Sequence, residues 1–174
     1  NISAAHCRDL SLLAECRAFL AHFQPGRVAL VLELTERELL VANPHTLSLF
    51  AQLDEMGVKL AIDDFGTGHS SLIYLQQFHV DYLKIDRSFI GRIGTESLSE
   101  HIVDNVIDLG RRLGLALVAE GVETEHQAAY LRGKGVHYLQ GFLFARPQPL
   151  RQFCQGLTSG EADSQLVAGR AASA

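Results

Sequence analysis

Apolar residues in this chain gather into short runs, and the runs are separated by stretches of helical spacing and by Gly- or Pro-marked breaks. Val28 to Leu34 and Val58 to Ile62 are near-continuous apolar runs, the mark of strands buried on both faces. Val80 to Ile85, Leu115 to Ala119 and Val136 to Leu139 read as further strands, and Asn1 to Ser3 as the tail of another. Leu10, Leu12, Leu13, Cys16, Phe19, Leu20 and Phe23 recur at helical spacing until Gln24-Pro25-Gly26 breaks them. Asn43-Pro44 opens a helix, with Asn as N-cap and Pro at the first helical position. That helix runs through Leu47, Leu49, Phe50 and Leu53 and stops at Met56-Gly57. Ser70 to Gln77 predicts a short helix, and Leu98 to Leu113 a long amphipathic one ending at Gly114. Thr124 caps a helix through Leu131, and a last short helix follows Pro149. Strands alternating with helices predict a parallel sheet with helices outside it, hence an α/β fold. The domain is expected over residues 1–155, with 156–174 a small, polar tail or linker.

Composition narrows the class only a little. The chain has 174 residues, 47% hydrophobic and 20% charged, enough for one domain with a sizeable core. A formal net charge of −5 without a basic stripe argues against a nucleic-acid polymer as main partner. It leaves room for a small phosphorylated ligand held through metal. No apolar run approaches the roughly 18 residues of a membrane span, and no secretory signal is visible. Cys7, Cys16 and Cys154 form no Cys-x-x-Cys pair and read as free thiols of a reducing compartment. The eight His residues are scattered, without metal-ligand spacing.

Charge is concentrated where the strands end. Glu33, Asp63, Lys84, Glu120 and Gln140 close five successive strands, at intervals that suit successive βα units. In a parallel barrel, C-terminal strand ends converge on one face, where active sites form. Asp63 and Asp64 are adjacent and precede a loop with glycines at 66 and 68. Taken alone, the pair reads either as an Asx-type turn or as a metal site, because neighbouring carboxylates repel and a divalent cation relieves them. Glu33, Asp63, Asp64 and Glu120 together suit one or two such cations, an arrangement that clamps a phosphate displacement. Lys84 would orient or deprotonate a water, or balance phosphate charge. A Schiff-base role for Lys84, as in barrel aldolases, would not require so many carboxylates.

Five runs occur in order: Glu33-Leu-Thr-Glu36; Asp63-Asp-Phe-Gly-Thr-Gly68 with Ser70-Ser71-Leu72; Leu83-Lys-Ile-Asp86; Ala119-Glu-Gly-Val-Glu123; and Gln140-Gly-Phe. Over residues 1–155 the chain resembles the EAL-domain family of bacterial phosphodiesterases. The resemblance implies a TIM-like (β/α) barrel with an irregular first strand, two Mg²⁺ or Mn²⁺ ions, and hydrolysis of cyclic di-GMP to linear pGpG. It implies Asn1, Glu33, Asp63, Asp64 and Glu120 as metal ligands, with Asp63 shared between the ions. It implies catalytic roles for Lys84, Glu120 and Asp64. Glu36 would hold the loop after the Asp pair, and Thr67, Asp86, Glu123 and Gln140 would serve substrate or loop. It further implies a cytoplasmic domain, a homodimer, and an upstream sensor or membrane region in the full-length protein.

The Glu-Ala-Leu run that names the family, whose Glu ligates the first metal, does not occur in these 174 residues. The chain opens at Asn1 without Met, as a cut fragment would. Six strands are expected here, too few to close the barrel. If these residues were the whole protein, metal binding would weaken, turnover would be small and an apolar edge would invite association. A different class of reading then arises, in which the domain binds cyclic di-GMP or a protein without turnover.

Overall fold

The computed structural model describes residues 1–9, 11–23, 28–35, 42–66, 75–95 and 98–149. It divides into two compact units, Asn1–Lys84 and Ile85–Ala174.

In the first unit, Ile2 forms a single parallel bridge to Leu34 where a strand tail was expected. A 3-10 turn (His6–Arg8) follows, then α1 (Ser11–Leu20), β1 (Val31–Thr35), α2 (Pro44–Glu55), β2 (Lys59–Phe65) and the start of β3 (Tyr82–Ile85). The α2 N-terminus forms as its residues dictate. The Asn43 side chain accepts from the Thr46 N–H at 3.0 Å, and the Thr46 hydroxyl accepts from the Asn43 N–H at 3.0 Å. These bonds satisfy two backbone donors that a helix start leaves orphaned. At the other end Gly57 takes φ +78°, the left-handed turn that glycine adopts without a Cβ penalty. The helix buries Thr46, Leu49, Phe50 and Leu53. Leu47, expected with them, is exposed because it falls off this i, i+3, i+4, i+7 stripe. Phe50 meets Phe78 with ring centroids 4.9 Å apart.

Strands β1 and β2 pair in parallel, with Glu33 opposite Ala61 and Thr35 opposite Asp63. Side chains alternate along strands, so Glu33, Thr35, Ala61 and Asp63 share one face. β1 is shorter than its apolar run, and only Leu32 and Leu34 are buried along it. The two-faced burial expected there fails because its other face carries Glu33, which needs polar surroundings. β2 is buried on both faces and extends through both Asp residues. At its start Asp81 accepts the Leu60 N–H at 2.9 Å and pairs with Lys59 at 2.8 Å. This hydrogen bond and the attendant attraction hold the Lys59 ammonium above its usual range. α1 buries Leu12 and Cys16, whereas Phe19 and Phe23 remain exposed against each other, centroids 5.1 Å apart. Residues 75–77 are helical; the earlier part of the helix expected from Ser70 lies outside the described residues.

The second unit contains α3 (Arg87–Ile90), α4 (Leu98–Leu113), β4 (Ala116–Ala119), α5 (Glu125–Gly133) and β5 (Tyr138–Leu139). β4 and β5 are parallel, with Val118 opposite Tyr138 and Ala119 opposite Leu139. β5 is shorter than expected because Val136 is taken by the preceding turn, its N–H donating to the Leu131 carbonyl at 3.0 Å. α5 carries a capping box in which Thr124 and Gln127 each satisfy the other's backbone N–H. A Cβ at Gly141 would enter the Val122 backbone, so only glycine lets these two chain segments approach so closely. The tail, Cys154 and the helix expected after Pro149 lie outside the described residues. Among the described residues, no helix is long and apolar enough to cross a membrane.

Candidate functional site

Three strands of the first unit bring charge together. Lys84 on β3 is buried, and its Nζ lies 2.7 Å from Glu33 Oε1 on β1 and 3.0 Å from Asp63 Oδ1 on β2. The Asp63 side chain is 13% exposed and that of Glu33 28%, so the trio is open on the glutamate side. A buried ammonium is tolerated only when paired, and this one has two carboxylates.

Asp64 breaks the strand geometry. Its φ is +55°, a left-handed conformation that Asp adopts more readily than most residues. Its N–H donates to Asp63 Oδ1 at 3.0 Å. Asp63 Oδ1 therefore lies within bonding reach of both Lys84 Nζ and the Asp64 amide. Because Asp64 leaves the extended run, its side chain is released from the strict alternation of β2. Carboxylate oxygens of Asp63 and Asp64 lie within 4.8 Å of one another. Among the described residues, Glu33 and Asp63 thus both pair with the Lys84 ammonium, and the Asp64 carboxylate lies beside that of Asp63. The donors are all oxygen, a set that fits a hard divalent cation such as Mg²⁺ or Mn²⁺.

Asn1 stands one residue before the bridge of Ile2 to Leu34, and the Ile2 N–H donates to the Glu33 carbonyl at 2.8 Å. The backbone therefore places Asn1 beside Glu33. Glu36 and Thr67 lie outside the described residues.

The second unit gathers a separate set. The Glu120 N–H donates to the Ile85 carbonyl at 3.1 Å, which fixes the end of β4. Gln140 closes β5; its N–H donates to the Ala119 carbonyl at 2.8 Å and its carbonyl accepts from Val122 at 3.0 Å. Glu120 is half-buried, while Gln140 and Glu123 are exposed. The Glu123 N–H is held by Gln127 Oε1 at 2.8 Å, which links this loop to the α5 cap. Asp86 caps α3, accepting the Ser88 N–H at 2.9 Å. That short helix was not expected, although an Asp two residues before a Ser is a recognisable cap signal. The burial of Lys84 and the left-handed Asp64 carry no signal in the residue order.

A sequence profile of the EAL domain matches residues 1–147. The chain is 46% identical over 157 residues to the probable cyclic di-GMP phosphodiesterase PdeN of Escherichia coli K12, covering 90% of this chain and 30% of that protein. Its fold is similar to that of the PaMucR phosphodiesterase solved as a c-di-GMP complex, with a TM-score of 0.75 and 42% identity over 88% of this chain and 62% of that one. It is also similar to Klebsiella pneumoniae BlrP1, solved as a manganese/cy-diGMP complex, with a TM-score of 0.62 and 37% identity over 78% of this chain and 34% of that one. The chain therefore spans only part of the relatives it matches. The fold class is the TIM-like α/β type of these structures, and with its profile match, its motifs and its parallel strands the chain belongs to the EAL-domain family.

Proposed function

We propose that this chain contributes to a metal-dependent phosphodiesterase that hydrolyses cyclic di-GMP to linear pGpG. The observation that carries the reading is the buried Lys84 between Glu33 and Asp63, next to the left-handed Asp64. An aldolase lysine would need to be neutral and reachable, whereas this ammonium is paired twice. The names of the similar proteins, PdeN and PaMucR among them, supply the substrate class.

In this reading Asn1, Glu33, Asp63, Asp64 and Glu120 would hold the metal, as the family resemblance implies. Bound there, two Mg²⁺ or Mn²⁺ ions would lower the pKa of a water and stabilise charge on the phosphate oxygens. Lys84 keeps the Glu33 and Asp63 carboxylates oriented and would offer an N–H to the attacking water. Glu120, Gln140, Asp86, Glu123, Glu36 and Thr67 hold substrate or the loops around it. The domain works in the cytoplasm as a homodimer, under control of a sensor or membrane region elsewhere in its protein.

The test is hydrolysis of cyclic di-GMP by the protein carrying this chain, followed by chromatography of pGpG. Mg²⁺-dependent pGpG that EDTA abolishes is the expected outcome. Tight nucleotide binding with no pGpG at any metal concentration would replace this reading with a binding module.

A further inference from the structure

Two stretches of the chain share a short pattern. Val80-Asp81-Tyr82-Leu83-Lys84 and Val136-His137-Tyr138-Leu139-Gln140 agree at the Val, Tyr and Leu positions, and each closes on a polar group, Lys84 or Gln140. The first leads into β3 and the second into β5. In each, the residue before the strand accepts the N–H of the second residue of the strand that precedes it. Asp81 Oδ2 accepts from Leu60 on β2 at 2.9 Å, and His137 Nδ1 accepts from Leu117 on β4 at 3.0 Å. The first residue of the donating strand matches the acceptor. It is Lys59 where the acceptor is a carboxylate, and the two pair at 2.8 Å; it is Ala116 where the acceptor is an imidazole. A backbone N–H can only donate, so Nδ1 of His137 is bare and the ring proton sits on Nε2. Leu117 is fully buried, where an N–H without an acceptor is costly. From this contact to Gln140 the path is short. Tyr138 lies opposite Val118, Leu139 opposite Ala119, and the Gln140 N–H donates to the Ala119 carbonyl at 2.8 Å. Side chains alternate along a strand, so a slip of one residue would turn Gln140 to the other face.

We propose that His137 is a positioning residue for Gln140: as a neutral imidazole accepting the Leu117 N–H, it sets the register of β5 on β4 and thereby the place of the Gln140 amide. This rests on the assignment of Gln140 to the substrate or its loops made above. A second proton on the ring would set a donor against a donor and abolish the bond. Imidazole ordinarily takes up that proton between pH 8 and 5, a range in which a carboxylate ordinarily stays ionised. The two acceptors, Asp81 and His137, therefore do the same work with different sensitivity to acid. The elements at the His137 junction bring two cations with their acids among the described residues. α4 packs on Leu117 through Gly110 and brings Arg111, which donates to the Lys134 carbonyl and lies 3.7 Å from Asp108. The end of α5 brings Lys134, paired with Asp104 at 2.8 Å. β4 brings Ala116, Leu117 and Val118, without charge. Both acids are engaged by a cation, and the Leu117 N–H is left to the imidazole.

The experiment uses the protein carrying this chain and its His137→Leu, His137→Asn, Gln140→Ala and His137→Leu/Gln140→Ala variants. Nitrogen NMR of the His137 ring reads the contact without any substrate. At about pH 8, Nδ1 is expected bare and Nε2 protonated, and a proton on Nδ1 overturns the inference whatever the kinetics. In His137→Leu, kcat/KM for cyclic di-GMP is expected to fall about tenfold, inside the roughly hundredfold that a misplacement of about 1 Å can cost. Mn²⁺ affinity by calorimetry stays at the parent's value, because Gln140 is not among the metal ligands. His137→Asn keeps most of the parent's kcat/KM, since Asn Oδ1 is as many bonds from Cα as Nδ1 and also accepts. That variant and the ring spectra decide the matter even where His137→Leu does not fold. From about pH 8 to about pH 5.5 the parent loses kcat/KM relative to His137→Asn, whose acceptor does not titrate. The double variant is no slower than Gln140→Ala alone, since His137 acts through Gln140. The inference is overturned if His137→Asn is as impaired as His137→Leu, if the ratio of parent to His137→Asn is constant across this pH range, if Mn²⁺ binding falls together with kcat/KM, or if the two losses add. If Gln140→Ala is kinetically normal, the Gln140 assignment fails and the role of His137 falls with it. Mg²⁺-dependent pGpG formation by the unaltered protein tests the phosphodiesterase reading separately.

Discussion

Two lysines of this chain meet similar partners under different conditions. Lys84, in the first unit, is buried between Glu33 and Asp63. Lys134, in the second, has a side chain 40% exposed and pairs with Asp104 at 2.8 Å. Asp104 also accepts from the Tyr130 hydroxyl at 2.7 Å, and Lys134 lies 5.2 Å from the centre of the Tyr130 ring. The outer cluster sets one acid against one cation, so charge is balanced and the network serves to join α4 to α5. Among the described residues, the inner cluster sets two acids against one cation, with a third acid adjacent at Asp64. An imbalance of that kind in a buried place costs stability unless a further cation answers it. The same residue types therefore make a surface clamp in one unit and a candidate metal site in the other. Burial and stoichiometry separate them.

That contrast can be broken from the inside first. Asp63→Asn removes the carboxylate shared by Lys84 and the Asp64 amide. Turnover is expected to fall about a thousandfold or more, the scale seen when a member of a catalytic unit is lost. Steady-state pGpG formation measures it, and turnover within tenfold of the parent would remove Asp63 from the centre of the site.

Lys84→Met comes next. It leaves Glu33 and Asp63 facing each other without the ammonium, at a cost of about 3 kcal/mol in metal-free buffer. Mg²⁺ should recover more of the melting temperature in this variant than in the parent, because ligand binding stabilises by mass action. Equal Mg²⁺ shifts in both proteins would mean that Lys84 does not compete with a cation for these carboxylates.

Asp104→Ala tests the outer clamp. Its expected cost is about 1 kcal/mol in chemical denaturation, the range of partly exposed ion pairs and hydrogen bonds, with kcat unchanged. A loss of turnover would show that the clamp is coupled to the site.

The smallest effect is in the acid range. Partial burial of Asp104 opposes its charge, but the hydrogen bonds from Lys134 and Tyr130, with attraction to Lys134 and His101, outweigh that and hold the carboxyl below its usual value of 3.8. A depressed folded-state pKa contributes stability that is present above the unfolded value and is lost as pH falls through the folded one. The stability gap between the parent and Asp104→Ala should therefore be constant near neutrality and close only below about pH 4. A gap that widens on acidification would reverse the assigned sign.

Much of the framework is legible in residue order because it depends on neighbours. Asn43, Pro44 and Gly57 bound α2 through local hydrogen bonds and a left-handed turn. Leu98–Leu113 has the predicted limits because a long amphipathic period followed by Gly114 leaves little alternative. Glu120 and Gln140 directly follow β4 and β5 and Lys84 is the penultimate residue of β3, as expected, but β1 runs past Glu33 to Thr35 and β2 past Asp63 to Phe65. The exposure of Leu47, the one-faced burial of β1 and the shortness of β5 were not legible, since each depends on what packs against the element from elsewhere in the chain.

The β-α alternation, the caps and the charged strand ends follow from periodicity and turn chemistry, which act within a few residues. The pairing of Lys84 with acids 51 and 21 positions earlier is of another kind. It arises because β1, β2 and β3 carry these side chains to one place in a buried setting, where an unpaired charge would be too costly to keep. The left-handed Asp64 and the bond from the Leu117 amide to His137 belong with it: which atoms meet is set by backbone placement in three dimensions, and residue spacing along the chain does not specify it.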